Sequence, residues 1–162
     1  MTALKTILWS VFVPGTLTTL VPYLLLASRF ELFPLELSVF RFAGLIPIAC
    51  GAALYLWCAW DFTFSGRGTP APFDPPKEIV LRGLYRYVRN PMYVAASLVL
   101  IGEAILFESV VILIYGAIVF SFFHLWVVFY EEPALRGKFG ESYENYCLKV
   151  SRWIPRTGKA RA

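Results

Sequence analysis

The chain has 162 residues, 58% of them hydrophobic and 16% charged, with a formal net charge of +4 at pH 7 and a mean hydropathy of +0.62. A soluble domain carries about 45–50% apolar and about 25% charged residues, so this composition falls outside the soluble class. The positive balance requires no nucleic acid, because a basic cytoplasmic rim against anionic lipid accounts for it.

The first apolar run, residues 7–28 ("ILWSVFVPGTLTTLVPYLLLAS"), approaches the roughly 20 residues that span a bilayer. A lone Lys5 precedes it, and no small-x-small cleavage pattern stands before Arg29, so it reads as a span and not as a cleaved signal peptide. Pro14 and Pro22 predict a kink or local unwinding within it. Residues 42–60 ("FAGLIPIACGAALYLWCAW") form the second span. Residues 61–90 are a long cytoplasmic loop that opens on Gly66 and Gly68 and is held extended by Pro70, Pro72, Pro75 and Pro76. Its end, "EIVLRGLYRYV", predicts a short helix or strand broken at Gly83.

Residues 91–107 are a shorter third span and 110–130 a full-length fourth, joined by "ESV" around Glu108 in a tight antiparallel hairpin. Glu103 is expected near the outer interface in solvent, or else as an intramembrane carboxylate with a partner. In the tail, 131–155, Phe139, Tyr143, Tyr146 and Val150 recur at spacings of 4, 3 and 4, the signature of an amphipathic helix. Trp153 and Ile154 then return to the interface, and Pro155 ends the segment. The expected fold is a single all-α integral membrane domain with four transmembrane helices. Thirteen of the fifteen Lys and Arg residues lie in segments on one side, with only Arg29 and Arg41 on the other. The positive-inside rule therefore puts both termini and the middle loop in the cytoplasm. Cys50, Cys58 and Cys147 show no metal-ligand spacing and are read as filler, with no metal expected.

The hairpin brings two polar clusters to one cytoplasmic level: "GLYRYVRNPMY", residues 83–93, and Glu131-Glu132. Asn90 suits a helix cap and Pro91 the first turn, whose free amides and dipole favour a ligand carboxylate. Tyr85 and Tyr93 offer flat faces to a purine or a sulfonium, and Glu131 offers an anion at about the same depth. A ligand using all of these is S-adenosylmethionine. The same residues also suit an ordinary helix start with an aromatic belt and a basic rim. Gly66-Arg67-Gly68 follows a membrane helix rather than a strand and is no dinucleotide fingerprint.

"GLYRYVRNPMY", an apolar hairpin and then "EEPALRGKFGESYENYCLKVSRWIP" resemble the isoprenylcysteine carboxyl methyltransferase family and its bacterial and phospholipid-methyltransferase relatives. The likeness covers about residues 68–155. It implies an integral membrane enzyme that moves a methyl group from S-adenosylmethionine, entering from the cytosol, to a lipophilic or lipid-anchored acceptor entering from the bilayer. It implies cofactor binding at Lys77, Glu78, Ile79, Val80, Tyr85, Asn90, Pro91, Met92 and Tyr93, and places Glu131 beside the acceptor. Asn90 stands where eukaryotic members have His, and Val127 where carboxyl-methylating members have Arg. Arg86, Arg89 or Arg152 are the residues able to replace that cation, and Arg89 is taken with Glu131 as acceptor-binding. His124, seven residues before Glu131, is either a general base paired with that carboxylate or a buried, hydrogen-bonded helix residue. The competing functions are a sterol-reductase-type membrane enzyme using NADPH and a non-catalytic lipid-binding protein. The expected location is a bacterial inner membrane.

Overall fold

The computed structural model describes residue 12 and residues 14–33, 35–64 and 83–155. Lys77, Glu78, Ile79, Val80 and most of the 61–90 loop lie outside the described residues, as does the start of the first apolar run. Helix α1 runs over Thr16–Ala27. A 3-10 turn, Ser38–Gly44, leads into α2, Leu45–Phe64, and a second, Gly83–Arg86, precedes α3, Pro91–Leu106. Helix α4, Val110–Trp126, continues through a π turn, Val127–Glu131, into α5, Glu132–Phe139. Helix α6 covers Glu141–Lys149. Among the described residues there is no strand, only an isolated parallel bridge between Val88 and Ser151.

Two helices are long and apolar enough to cross a membrane, Ser38–Asp61 and Val110–Phe139; Thr16–Ala27 and Pro91–Leu106 are shorter apolar helices. Only 17% and 33% of the two long apolar windows are buried inside the protein. That argues against core helices of a soluble domain, which bury their apolar faces.

Pro22 acts as expected, by opening a helix rather than ending it. In α1 the π turn Thr16–Leu20 closes with the Val21 amide on the Thr16 carbonyl, immediately before Pro22. The next π bond would need an amide from Pro22, which has none, so the Leu17 carbonyl is left over. The Tyr115 hydroxyl donates to it at 3.0 Å, fastening α1 to α4. The same device recurs before Pro133: the Glu132 amide bonds the Val127 carbonyl and closes the second π turn.

Helices α2 and α3 pack against each other more extensively than any other pair. Gly44 and Gly51 approach α3 so closely that a Cβ on Gly44 would meet the Gly102 carbonyl, and one on Gly51 would lie 2.6 Å from the Ala95 carbonyl. Small residues at a helix crossing let backbones touch, which replaces the missing hydrophobic drive between helices in lipid. A Cβ on Gly102 would in turn lie 2.6 Å from the Gly44 carbonyl and 2.9 Å from the Ile48 amide. Gly102→Val is therefore expected to push α2 off α3 and destabilise the bundle by about 1–3 kcal/mol, read as a lower unfolding midpoint in detergent.

The hairpin turn is as tight as expected, with Glu108 at φ +54. The Glu108 carboxylate accepts from the Leu37 and Ser38 amides at 2.7 and 2.9 Å, tying the turn to the start of the second apolar segment. Glu103 is half-buried, and its Oε2 has no hydrogen-bond partner among the described residues. The tail differs from a single amphipathic helix. Gly140, at φ +53 and ψ −129, breaks it into α5 and α6, a conformation glycine enters without Cβ strain. The expected face survives the break: Tyr143, Tyr146 and Val150 form a buried cluster with Leu135, Phe139 and Cys147 packed against it.

Candidate functional site

The start of α3 and the end of the α4 helix meet. The Tyr93 hydroxyl, from the first turn of α3, donates to Glu131 Oε2 at 3.1 Å across 38 residues of chain. The Tyr93 ring packs on Phe123 of α4, with centroids 4.6 Å apart, inside a cluster built on Ala96, Leu100 and Val119. Pro91 occupies the first helical turn and is buried. The amides of Met92 and Tyr93 follow it, in the turn where a helix has no internal acceptors to offer.

Asn90 holds the capping position without capping. Its side chain makes no bond to the helix start; Nδ2 instead donates to the Arg152 carbonyl at 3.3 Å. The expected cap is thus replaced by a tie to the tail. The Arg89 amide donates to the Ser151 carbonyl at 2.9 Å beside the Val88–Ser151 bridge, so residues 88–90 and 151–152 are zipped together.

Tyr85 enters the same region from the 3-10 turn, and its carbonyl accepts the Tyr146 hydroxyl at 2.6 Å. Burial first, then its ionisable neighbours Cys58, Glu131, Tyr146 and Tyr93, push the Tyr85 phenol well above its ordinary value. The ring therefore stays neutral and serves as a surface rather than a charge.

The two adjacent glutamates have separate surroundings. Glu131 is half-buried and bonded to Tyr93, and no ion pair reaches it among the described residues. Glu132 is only 2% exposed, and three guanidiniums converge on it. Arg152 bonds it through Nε at 2.7 Å and through a terminal nitrogen at 3.0 Å; Arg89 and Arg136 lie at 3.2 and 3.4 Å. This hub was not foreseen, although three arginines at positions 89, 136 and 152 around a Glu-Glu pair are the sequence signal for it. The hub also decides where two of the candidate replacement cations sit. Arg89 and Arg152 are engaged by Glu132, Arg86 is exposed, and Val127 is buried apolar core at 1% exposure.

His124 meets the tail. Its Nδ1 accepts from Trp153 Nε1 at 3.2 Å. The π turn between His124 and Glu131 adds a residue to the helix, rotating the segment beyond it by roughly 100°, so the seven-residue spacing does not put both side chains in one α-helical register.

Two further buried polar atoms have no hydrogen-bond partner among the described residues: Arg89 Nε and Asp61 Oδ2. Asp61 is in the last turn of α2, where the helix dipole disfavours an anion. Its carboxylate rests so close to Gly83 that a Cβ there would collide with it. An orphaned donor and an orphaned acceptor complement a ligand that carries both a carboxylate and an ammonium. The residues present therefore fit the amino-acid portion of S-adenosylmethionine, and no group of three or more potential metal ligands occurs among the described residues.

Comparison with known proteins adds two findings. The family profile described as phospholipid methyltransferase matches residues 39–142, which include Tyr93 and Glu131 and end before Trp153. The protein-S-isoprenylcysteine O-methyltransferase of Schizosaccharomyces pombe is 36% identical over 78 residues, 48% of this chain and 33% of that protein. The chain thus spans about a third of the length of the curated relative that it matches.

Proposed function

The chain belongs to the phospholipid methyltransferase family, and on that premise we propose that it is an integral membrane methyltransferase. It takes its methyl group from S-adenosylmethionine and passes it to a lipophilic or lipid-anchored acceptor. The observation that carries this reading is the Tyr93–Glu131 contact at the cytosolic ends of the hairpin. We place all four apolar helices in the bilayer, with both termini and the 61–90 loop in the cytoplasm, and the protein in a bacterial inner membrane.

On this reading Met92, Tyr93 and Arg89 Nε hold the carboxylate of the donor, Asp61 its ammonium, and Tyr85 and Tyr93 its flat and sulfonium portions. Asn90 and Pro91 set the helix start that aims those amides, and Lys77, Glu78, Ile79 and Val80 complete the donor site from the loop. Bound S-adenosylmethionine supplies a methyl group on a positively charged sulfur, open to in-line displacement. Holding acceptor and methyl in line provides much of the rate.

The acceptor is one whose attacking atom carries a proton: an amine, thiol or hydroxyl. Support comes from the missing cation. Val127 is buried, Arg89 and Arg152 are taken by Glu132, and Glu131 stands without an ion pair among the described residues. A carboxylate acceptor would want an arginine at that point, whereas a protonated nucleophile wants a base, and Glu131 is that base. Arg89 then holds the donor side and supports acceptor binding only indirectly. His124 holds Trp153.

Calorimetric titration of the detergent-solubilised protein tests the reading. S-adenosylhomocysteine should bind and NADPH should not. Tyr93→Ala and Asn90→Ala should each weaken that binding by about tenfold, the loss of one ordered wall or tie. Parent-like affinity in both variants would remove this site from consideration.

A further inference from the structure

Trp153 lies outside the family-matched segment, yet its side chain reaches into the site. We infer that Trp153 is a specificity-determining residue: its indole is the wall along which the acceptor's hydrocarbon chain lies between the bilayer and the Tyr93–Glu131 pair. This rests on the methyltransferase reading.

Four observations converge on it. First, aromatic rings make a continuous ladder from the outer face of α4 to the site. Phe120 is 37% exposed on the apolar surface; its ring lies 5.1 Å from Trp153, and Trp153 lies 6.5 Å from Tyr93, whose hydroxyl meets Glu131. Second, the indole is pinned. Its N–H donates to His124 Nδ1 at 3.2 Å, the partner that an indole turned away from water needs, and Trp153 is half-buried. Because its Nδ1 accepts that N–H, His124 acts as a positioning residue for the indole.

Third, the tail has no need of Trp153 as an anchor. Ser151 is held by the Arg89 amide, the Arg152 carbonyl by Asn90, and the Arg152 guanidinium by Glu132. Fourth, the next residue behaves in the opposite way: Ile154 is 77% exposed, while Trp153 is turned inward against the buried cluster of Ala96, Leu100, Val119 and Phe123. An interfacial tryptophan serving only as a belt residue would face outward with Ile154. A rigid, amphipathic ring facing an apolar approach route limits what can lie beside it. A shape limit of this kind discriminates acceptors by chain bulk, not by charge.

The test uses the full chain in detergent with aliphatic amines and thiols of increasing chain length, one of them carrying a photoreactive group on the hydrocarbon. The photoreactive probe should label the Trp153 segment and the Phe120–His124 face of α4, and unlabelled probe should compete with it. Trp153→Ala should shift the ratio of kcat/KM for the longest over the shortest probe by about tenfold or more, mainly through KM, with S-adenosylhomocysteine affinity unchanged. Trp153→Phe, which keeps a ring without the N–H and is the gentler change, should retain most of the parent profile. Label elsewhere on the bundle overturns the inference. So does a Trp153→Ala variant that loses S-adenosylhomocysteine affinity while keeping the chain-length profile, since Trp153 would then serve the donor side. If the parent binds no S-adenosylhomocysteine, the methyltransferase reading falls by itself, and the labelling map still decides whether hydrocarbon lies against Trp153.

Discussion

Replacing Glu131 with glutamine should lower turnover on an amine- or thiol-bearing acceptor by about 10²–10⁴-fold, the usual worth of a positioned general base, with S-adenosylhomocysteine binding retained. The substitution is chosen for what it leaves alone. Glutamine has the same size, and its carbonyl can still accept the Tyr93 hydroxyl that now lies 3.1 Å from Oε2. The ring of Tyr93 stays packed on Phe123, so the wall of the site is unchanged and only the proton acceptor is gone. A carboxylate acceptor, which arrives already deprotonated at neutral pH, needs no such base and should lose far less. Single-turnover transfer of a labelled methyl group to each acceptor class separates the two cases. Parent-like single-turnover rates in Glu131→Gln on every acceptor would remove Glu131 from the proton transfer.

The second large effect is on stability. Glu132→Ala should destabilise the protein by about 3–5 kcal/mol, the cost of breaking a buried ion pair by removing one partner. The reason is the asymmetry of what remains. Glu132 is 2% exposed, and the Arg89 side chain beside it is 11% exposed. Without the carboxylate, Arg89 and Arg152 face each other as like charges in a water-poor site, and Arg89 already has an unpartnered Nε. Arg136 is 44% exposed and can turn to solvent or to Glu144, which it already bonds at 2.7 Å, so it adds little. The measurement is the unfolding midpoint in detergent for Glu132→Ala, Arg152→Ala and the double variant. The double variant should be less destabilised than the sum of the two single changes, because removing the second partner relieves the uncompensated charge. A change below about 0.5 kcal/mol, within the scatter of ordinary surface substitutions, would show that the cluster is ornamental.

The two long apolar helices, the tight turn at Glu108 and the meeting of Tyr93 with Glu131 were legible because each follows from one-dimensional rules: apolar run length, and a hairpin too short to hold its ends apart. The proline effects were legible in kind, since a missing amide must open a helix somewhere. What the open turns would do was not. A π turn adds a residue, and the helical register that placed His124 and Glu131 on one face is shifted by it. Asn90 reads as a cap because asparagine caps helices, but the tail offered its amide a carbonyl instead. The seam between α2 and α3 was missed because glycines within an apolar run look like filler until their partners are known; Gly44 and Gly51 gain meaning only opposite Gly102 and Ala95. The partition of Glu131 and Glu132 into a solitary acid and an ion-pair hub depends on contacts across 20 or more residues, which spacing alone does not encode.

The order in which the ribosome releases these parts follows from where the last of them sits. Arg89 and the hairpin are made first, then Glu132, and Arg152 follows only 20 residues later. Until then the acidic hub lacks its closest guanidinium and the wall beside Tyr93 has not been made. The hub and that wall are completed as a final stitch, when the tail returns to lie beside Val88.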